Sequence, residues 1–386
     1  MKDNEKKGTT NRIVLLTGEL SGEIHGTNLV KSINSKYNID FSGMGGRRLK
    51  QEGMEVVYDY NAISLMGISE IFTKTHHIIS ALNTIKRHIR DVRPLCVILV
   101  DFPGFNLRIA GYAKRLGIPV IYFIPPQVWA WHRSRVYKIK KYVDLVISIL
   151  PFEKGFYREY GIEARYVGHP FANIIKPTMA RDEFFRMIDI DMGHPLITIM
   201  PGSRENEVLR HMPVLLSITD ILKKRLDHVG IVLPVAENIP DRLIKDSISG
   251  RAITALRGYN YDALYHSDAA IIASGSATLE AAILGVPTAV IYKISTLSYL
   301  LAKMLVDVKF ISLPNLIAGK EVFPEFIQHL DPEKIAERVI YMLNNDRVEI
   351  KKDLAYIKAE LGGFDSYSMA RDEIVSFLEH RYGTIS

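Results

Sequence analysis

Short β-branched runs separated by stretches of helical periodicity constrain this chain more than any other feature. The runs at 13–17, 40–44, 55–59, 96–100, 120–124 and 145–149 read as strands. Between them Leu29, Val30 and Ile33, and later Leu107, Ala110, Gly111 and Lys114, fall at helical spacing. Strands alternating with helices predict a mostly parallel α/β sheet, doubly wound, with helices on both faces. The pattern restarts at 196–200 and continues through 231–234, 253–255, 269–273 and 288–292. Two Rossmann-like domains are therefore expected, residues 1–171 and 172–362, facing a central cleft. The join at Val167-Gly-His-Pro-Phe171 supplies a glycine and a proline for a hinge. Beyond Pro332, patterns such as 333–343 and 369–382 read as helices without strands. Residues 363–386 are expected to form a C-terminal helix packing back on the first domain.

The bulk numbers narrow the function classes. At 386 residues the chain exceeds one typical core. Its 47% apolar and 24% charged residues exclude a disordered or fibrous protein. A net charge of +6 suits anionic ligands, an anionic membrane surface or nucleic acid, but no recognised nucleic-acid-reading module accompanies it. The one cysteine, Cys96, lies in an apolar run, so it reads as a reduced core thiol in a cytoplasmic protein. The first apolar run is too short for a signal-peptide core, and no stretch approaches the roughly 18 apolar residues of a membrane span. Membrane contact is expected to be peripheral.

Several turns at strand ends carry residues with chemical use. Ser274-Gly-Ser-Ala-Thr-Leu-Glu280 joins a strand to a helix. Its small residues let a ligand approach the backbone, and a helix N-terminus offers unpaired N–H groups and a positive dipole end. It reads either as a phosphate cradle, with Glu280 holding a pair of sugar hydroxyls, or as a tight turn. Pro201-Gly-Ser-Arg-Glu-Asn-Glu207 follows the first strand of the second domain. Gly202 and Ser203 beside Arg204 would bind a diphosphate and stabilise it as a leaving group, unless Arg204 is a solvated surface charge. Neither G-x-G-x-x-G nor G-x-x-x-x-G-K-[ST] occurs, which weighs against a dehydrogenase and a Walker-type nucleotidase.

In the first domain, Gly18-Glu-Leu-Ser-Gly-Glu-Ile-His-Gly26 reads as a loop lining a substrate cleft or as a turn in which Ser21 caps a helix. Asp101, where a buried strand emerges, is either a general base of raised pKa or the cap of a helix starting near Asn106. The segment 125–135 holds both tryptophans, and Arg133, Arg135, Lys138, Lys140 and Lys141 follow closely. That mixture suits a sugar face, a phosphate or a lipid interface; the alternative is a core tryptophan and a solvated basic helix face. Along 65–82, Leu65, Ile68, Phe72, Ile79 and Leu82 make one helical stripe, facing either the core or lipid. No H-E-x-x-H or C-x-x-C occurs, and Asp189-Ile-Asp191 precedes a strand and reads as a turn. No metal and no cofactor is called for.

Taken in order, Gly18–Glu23, Asp101-Phe-Pro-Gly-Phe-Asn106, Pro126-Gln-Val-Trp-Ala-Trp131, Val167–Pro170, Pro201–Arg204, Ser274–Glu280 and Pro314-Asn-Leu-Ile-Ala-Gly319 resemble the lipid-A-disaccharide synthase family over residues 13 to about 328. The resemblance implies the GT-B glycosyltransferase architecture, with UDP-2,3-diacylglucosamine as donor and 2,3-diacylglucosamine 1-phosphate as acceptor. It also implies a β-1,6 linkage formed with inversion and release of UDP. It makes Asp101 the base for the acceptor 6-hydroxyl. Gly202, Ser203 and Arg204, with Ser274, Gly275, Ser276, Ala277 and Thr278, would hold UDP, with Glu280 on the ribose and Asn315 on the same side. Ser21, Gly22, Glu23, Asn106, Gln127 and Trp129 would face the acceptor or its acyl chains. The implied setting is peripheral, on the anionic cytoplasmic face of the inner membrane, with room for a homodimer. Glu19-Leu20, Ile24-His25 and Ser276 depart from the family pattern, and of these Leu20 and His25 bear on acceptor fit. The rival readings are a UDP-N-acetylglucosamine 2-epimerase of the same architecture and a non-enzymatic peripheral lipid-binding protein.

Overall fold

The structure is a computed structural model that describes residues 11–64, 71–130, 133–296, 299, 308–344 and 347–385, with the backbone alone at 63–64, 71–75 and 347. The chain divides into two compact units, Met1–Pro170 together with Phe364–Ser386, and Phe171–Gly363. The first holds β1 (Arg12–Leu16), β2 (Asp40–Gly45), β3 (Glu55–Asp59), β4 (Cys96–Val100), β5 (Val120–Phe123), β6 (Leu145–Ser148) and β7 (Ala164–Tyr166). They form one parallel sheet in the order β3-β2-β1-β4-β5-β6-β7. The second holds β8 (Leu196–Met200), β9 (Gly230–Pro234), β10 (Thr254–Leu256), β11 (Ala269–Ala273), β12 (Thr288–Tyr292) and β13 (Glu325–Ile327), parallel in the order β10-β9-β8-β11-β12-β13. Both units are doubly wound and Rossmann-like.

Strands covered on both faces need no polar alternation, and β4 is accordingly buried at every residue. Successive side chains of one strand feed opposite layers. Val14, Leu16, Val97 and Leu99 enter one apolar cluster of the first unit, while Ile13, Leu15, Cys96 and Ile98 enter the other. That second cluster is completed by Ala370, Ile374 and Leu378 from the helix Ser366–Tyr382, which packs on the helix Leu20–Asn34. Polar ties reinforce the contact: Tyr382 Oη donates to the Leu95 carbonyl at 3.0 Å, and His25 Nδ1 lies 3.0 Å from Tyr367 Oη.

In each sheet the strand order reverses once, between β1 and β4 and between β8 and β11. In open α/β sheets the loops that leave the two strands flanking such a reversal diverge, and ligands bind in the crevice between them. The turns that follow these four strands are Gly18–Glu23, Asp101–Asn106, Gly202–Arg204 and Ser274–Glu280. Topology thus gathers the chemistry-bearing motifs at two switch points.

Three expectations change. The segment from Ser21 to Gly26 is helix, not loop: the helix begins at Leu20, Glu19 occupies the N-cap position, and no side chain caps it. Gly26 is small because the helix lies directly on β1; a Cβ there would meet Thr17 Cγ2 at 2.9 Å. Next, the helix after β4 starts at Pro103 with Phe102 at its N-cap, so Asp101 is not its cap. Finally, the stripe at 65–82 is only partly within the described residues. Residues 65–70 and the Phe72 side chain lie outside them, Leu82 enters the core, and Ile79 is 51% exposed instead of sharing its face.

Candidate active site

The β8 and β11 turns converge on one cavity of about 460 Å³ within the second unit. From β8 it takes Gly202, Ser203, Arg204 and Glu207, and from β11 Ser274, Gly275, Ser276, Ala277 and Glu280. All of these except Glu207 were expected from the sequence. The loops after β9 and β10 supply Val235, Ala236, Glu237, Gly258 and Asn260, none of which was anticipated. Their only signal is position, since each follows a strand at its carboxyl end.

The two turns offer anion-binding groups in different states. The helix Ser276–Leu284 starts with no side-chain cap, and its first N–H groups have no acceptor within the helix. Its dipole end and the small residues Ser274, Gly275, Ser276 and Ala277 therefore face the cavity. Thr278, by contrast, is buried and donates its hydroxyl to the Gly275 carbonyl at 2.8 Å, so it holds the turn instead of lining the cavity.

At the β8 turn the amides of Ser203 and Arg204 already donate to Glu207 Oε2, at 3.0 and 3.3 Å. Those two amides are thus paired within the turn, while Gly202 and Ser203 still line the cavity. The same carboxylate explains Gly202, whose φ is +117° and whose Cβ would sit 2.5 Å from Glu207 Oε2. What the turn does present is Arg204, its side chain 81% exposed and joined to Glu207 Oε1 through Nη1 at 3.0 Å. Its remaining guanidinium donors suit a phosphate.

His211 pins this turn. It is fully buried, with Nδ1–H donating to the Pro201 carbonyl at 2.7 Å and Nε2 accepting from the Lys293 amide at 3.0 Å. Burial lowers its pKa, so the ring is neutral and its two partners fix the tautomer. Glu280 is half-buried, its carboxyl raised by burial and partly offset by Ser276, whose hydroxyl lies 3.4 Å from Oε1.

Asn315 does not join the cavity. It is 0% exposed and spends its whole amide on the β13 loop. Its Oδ1 accepts from the Val322 and Phe323 amides, each at 2.8 Å, and its Nδ2 donates to the Phe323 carbonyl and Glu325 at 2.7 and 2.8 Å. It is a buried strut.

In the first unit Asp101 sits in a strained turn. Asp101 and Phe102 have φ of +46° and +45°, a conformation that costs non-glycine residues about 1–3 kcal/mol each. Three hydrogen bonds hold it. The Asp101 carbonyl accepts from Tyr122 Oη at 2.6 Å and Asn106 Nδ2 at 2.7 Å, and its amide donates to the Ile124 carbonyl at 3.2 Å. Burial, followed by repulsion from Glu19, raises the Asp101 carboxyl to about 6. A carboxylate at that value is ionised at neutral pH yet more basic than usual.

Of the residues expected on the acceptor side, only Ser21 and Gln127 are exposed. Glu23 is buried; it accepts from the Arg48 and Leu49 amides and from Tyr60 Oη, capping the helix Arg47–Gln51. Gly22, on the same helix as Glu23, is buried and faces Thr17 and Val100. Asn106 is the support of the Asp101 turn. Trp129 is 7% exposed and donates Nε1–H to the buried Glu153 at 3.0 Å. Burial pushes Glu153 up to about 7. Trp131 lies outside the described residues. Among those residues, no three His, Cys, Asp or Glu side chains gather to hold a metal ion, and no helix is long and apolar enough to cross a membrane.

Solved structures share the fold. The UDP-GlcNAc 2-epimerase of Neisseria meningitidis, bound to UDP-GlcNAc, superposes with a TM-score of 0.63 at 15% identity over 96% of this chain and 100% of its own. The calicheamicin glycosyltransferase CalG4 gives 0.62 at 14% identity over 97% and 100%. Sequence is more discriminating. The lipid-A-disaccharide synthase of Syntrophus aciditrophicus (strain SB) is 39% identical over 91% of this chain and 93% of its own length. That of Myxococcus xanthus (strain DK1622) is 35% identical over 95% and 97%. The profile of the lipid-A-disaccharide synthetase family matches residues 13–375, running through both units. The chain belongs to the lipid-A-disaccharide synthetase family.

Proposed function

We propose that this protein transfers a sugar from UDP-2,3-diacylglucosamine to the 6-hydroxyl of 2,3-diacylglucosamine 1-phosphate, giving the β-1,6-linked disaccharide 1-phosphate and UDP with inversion. Family membership makes it a glycosyltransferase of lipid A biosynthesis. The observation that carries the residue assignment is the convergence of the β8 and β11 turns on one cavity. Arg204 and the start of the helix Ser276–Leu284 take the diphosphate there, and Glu280 takes the ribose hydroxyls.

Asp101 accepts the proton of the acceptor 6-hydroxyl. The freed oxygen bonds to the anomeric carbon of the donor, the bond from that carbon to the diphosphate oxygen breaks, and its electron pair leaves with UDP. Charge building on the diphosphate is met by Arg204 and the helix dipole, both set before the reaction begins. No metal is assigned a role, so EDTA leaves the rate unchanged. The first unit takes the acceptor and its acyl chains, with exposed Ser21 and Gln127 as contacts. Lipid-linked substrates and the net charge of +6 support peripheral binding at the cytoplasmic face of the inner membrane, where a homodimer is compatible with function.

The 2-epimerase reading rests on a shared fold alone, and simple lipid binding leaves the polar cavity unexplained. Incubation with both acylated sugars, read by mass spectrometry, yields the disaccharide 1-phosphate and UDP. Conversion of unacylated UDP-N-acetylglucosamine to its 2-epimer, with no disaccharide, would replace this proposal.

A further inference from the structure

We propose that the groove between the helices Pro103–Arg115 and Arg135–Tyr142 in the first unit is a phosphate-monoester subsite that receives the 1-phosphate of the acceptor. This rests on the acceptor proposed above. The groove encloses about 460 Å³. Arg108 and Arg115 line one wall, Arg135 and Lys138 the other, with Leu107 and Tyr142 between them and no acidic side chain in the lining.

The lining gathers four cations and no carboxylate. Neither helix has an acidic residue in its first turn, and Arg135 and Lys138 stand at the positive end of theirs, where a helix dipole disfavours cations. Elsewhere on the molecule arginines face carboxylates, as in Arg12 with Glu55, Arg186 with Asp182 and Arg257 with Asp241. Arg108, Arg115 and Lys138 enter no ion pair among the described residues. Guanidinium groups on facing walls match the several oxygens of a phosphate.

Position completes the case. Pro103 and Gly104, which line the groove, follow Asp101 almost directly. Arg135 acts electrostatically on Tyr122, whose hydroxyl donates to the Asp101 carbonyl. One pyranose ring separates the acceptor 6-hydroxyl from its 1-phosphate, so a base at Asp101 requires a phosphate site close by.

The test is the double variant Arg108→Ala/Lys138→Ala, one exposed side chain from each wall. Wild-type enzyme is expected to have a KM roughly tenfold lower for the acylated acceptor with its 1-phosphate than without it. The variant loses that preference while kcat at saturation and the Kd for UDP are unchanged. Calorimetry gives the same answer independently of turnover: glucosamine 1-phosphate binds wild type more tightly than glucosamine does, and the variant does not distinguish them. Groove-dependent binding of glucosamine 1-phosphate in a protein that shows no transfer would uphold the subsite and remove the transfer reaction. A variant that keeps its discrimination for the phosphorylated acceptor overturns the subsite. So does one that loses only its binding to phosphatidylglycerol vesicles, which would make the groove a membrane-facing patch.

Discussion

The two sheets share one strand order, yet their switch points are built in opposite ways. Between β1 and β4 the protein fills the space with its own groups: Asn106 and Tyr122 clamp the Asp101 turn, and the backbone there is left-handed. Between β8 and β11 it leaves a cavity of about 460 Å³ lined by glycine, serine and alanine, with Arg204 extended into solvent. The first arrangement withdraws one carboxylate from water and raises its proton affinity. The second keeps donors available for an incoming anion. Strand order locates a site, but side-chain size and internal pairing decide whether it holds a reactive group or a ligand.

Mutations can break this comparison in turn. Asp101→Asn carries the largest expected effect, a fall in transfer rate of about 10²- to 10⁴-fold with UDP affinity unchanged. Near-normal turnover would remove Asp101 from its role. Asn315→Ala should lower the unfolding free energy by about 3 kcal/mol in urea titration, because two buried amides lose their acceptor. Lost UDP affinity with unchanged stability would instead return Asn315 to the ligand side.

Glu153→Gln probes the cost of filling the first unit. The wild-type carboxyl holds its proton to about 7 in the folded state against 4.5 in the unfolded chain. Its stabilising contribution is therefore complete below 4.5 and is lost as pH rises through 7. The glutamine variant escapes that loss and should be more stable by about 3 kcal/mol at pH 8, but not at pH 4; equal denaturation midpoints at both pH values would show that the carboxyl is not perturbed. Arg204→Ala should weaken UDP binding about tenfold while leaving the pH profile intact. The smallest effect is in that profile: kcat/KM falls below pH 6 as Asp101 takes up its proton. Glu19→Gln removes a repulsion and moves the midpoint downward, and an unmoved midpoint would leave burial as the whole cause.

Much of this is legible in the sequence. The runs at 96–100, 196–200, 269–273 and 288–292 coincide with strands because buried parallel strands are written as continuous apolar stretches; the run at 55–59 coincides too, although its edge strand is only half-buried. β7 and β13 were missed because three-residue edge strands, Ala164–Tyr166 and Glu325–Ile327, carry too little apolar sequence to register. At the sites, Arg204 and Ser274–Ala277 were legible through turn chemistry. The resemblance puts Glu23, Asn106, Trp129 and Asn315 near ligands, and in the structure all four are buried and bonded internally. A polar residue that supports a loop and one that touches a substrate look alike in sequence; only the direction of the side chain separates them. Val235–Glu237 carried no distinctive residue type at all.

The return of the helix Ser366–Tyr382 to the first unit has a consequence for biosynthesis. The ribosome makes the strands of that unit first, but the apolar layer around Ile13, Leu15 and Ile98 lacks Ala370, Ile374 and Leu378 until the whole of Phe171–Gly363 has been translated. The second unit, contiguous in sequence, can close while its predecessor still exposes an unfinished face. Nascent chains stalled within 171–363 should therefore be captured by chaperones through the first unit, and a stop codon shortly before 364 should leave that unit protease-sensitive while the second stays folded.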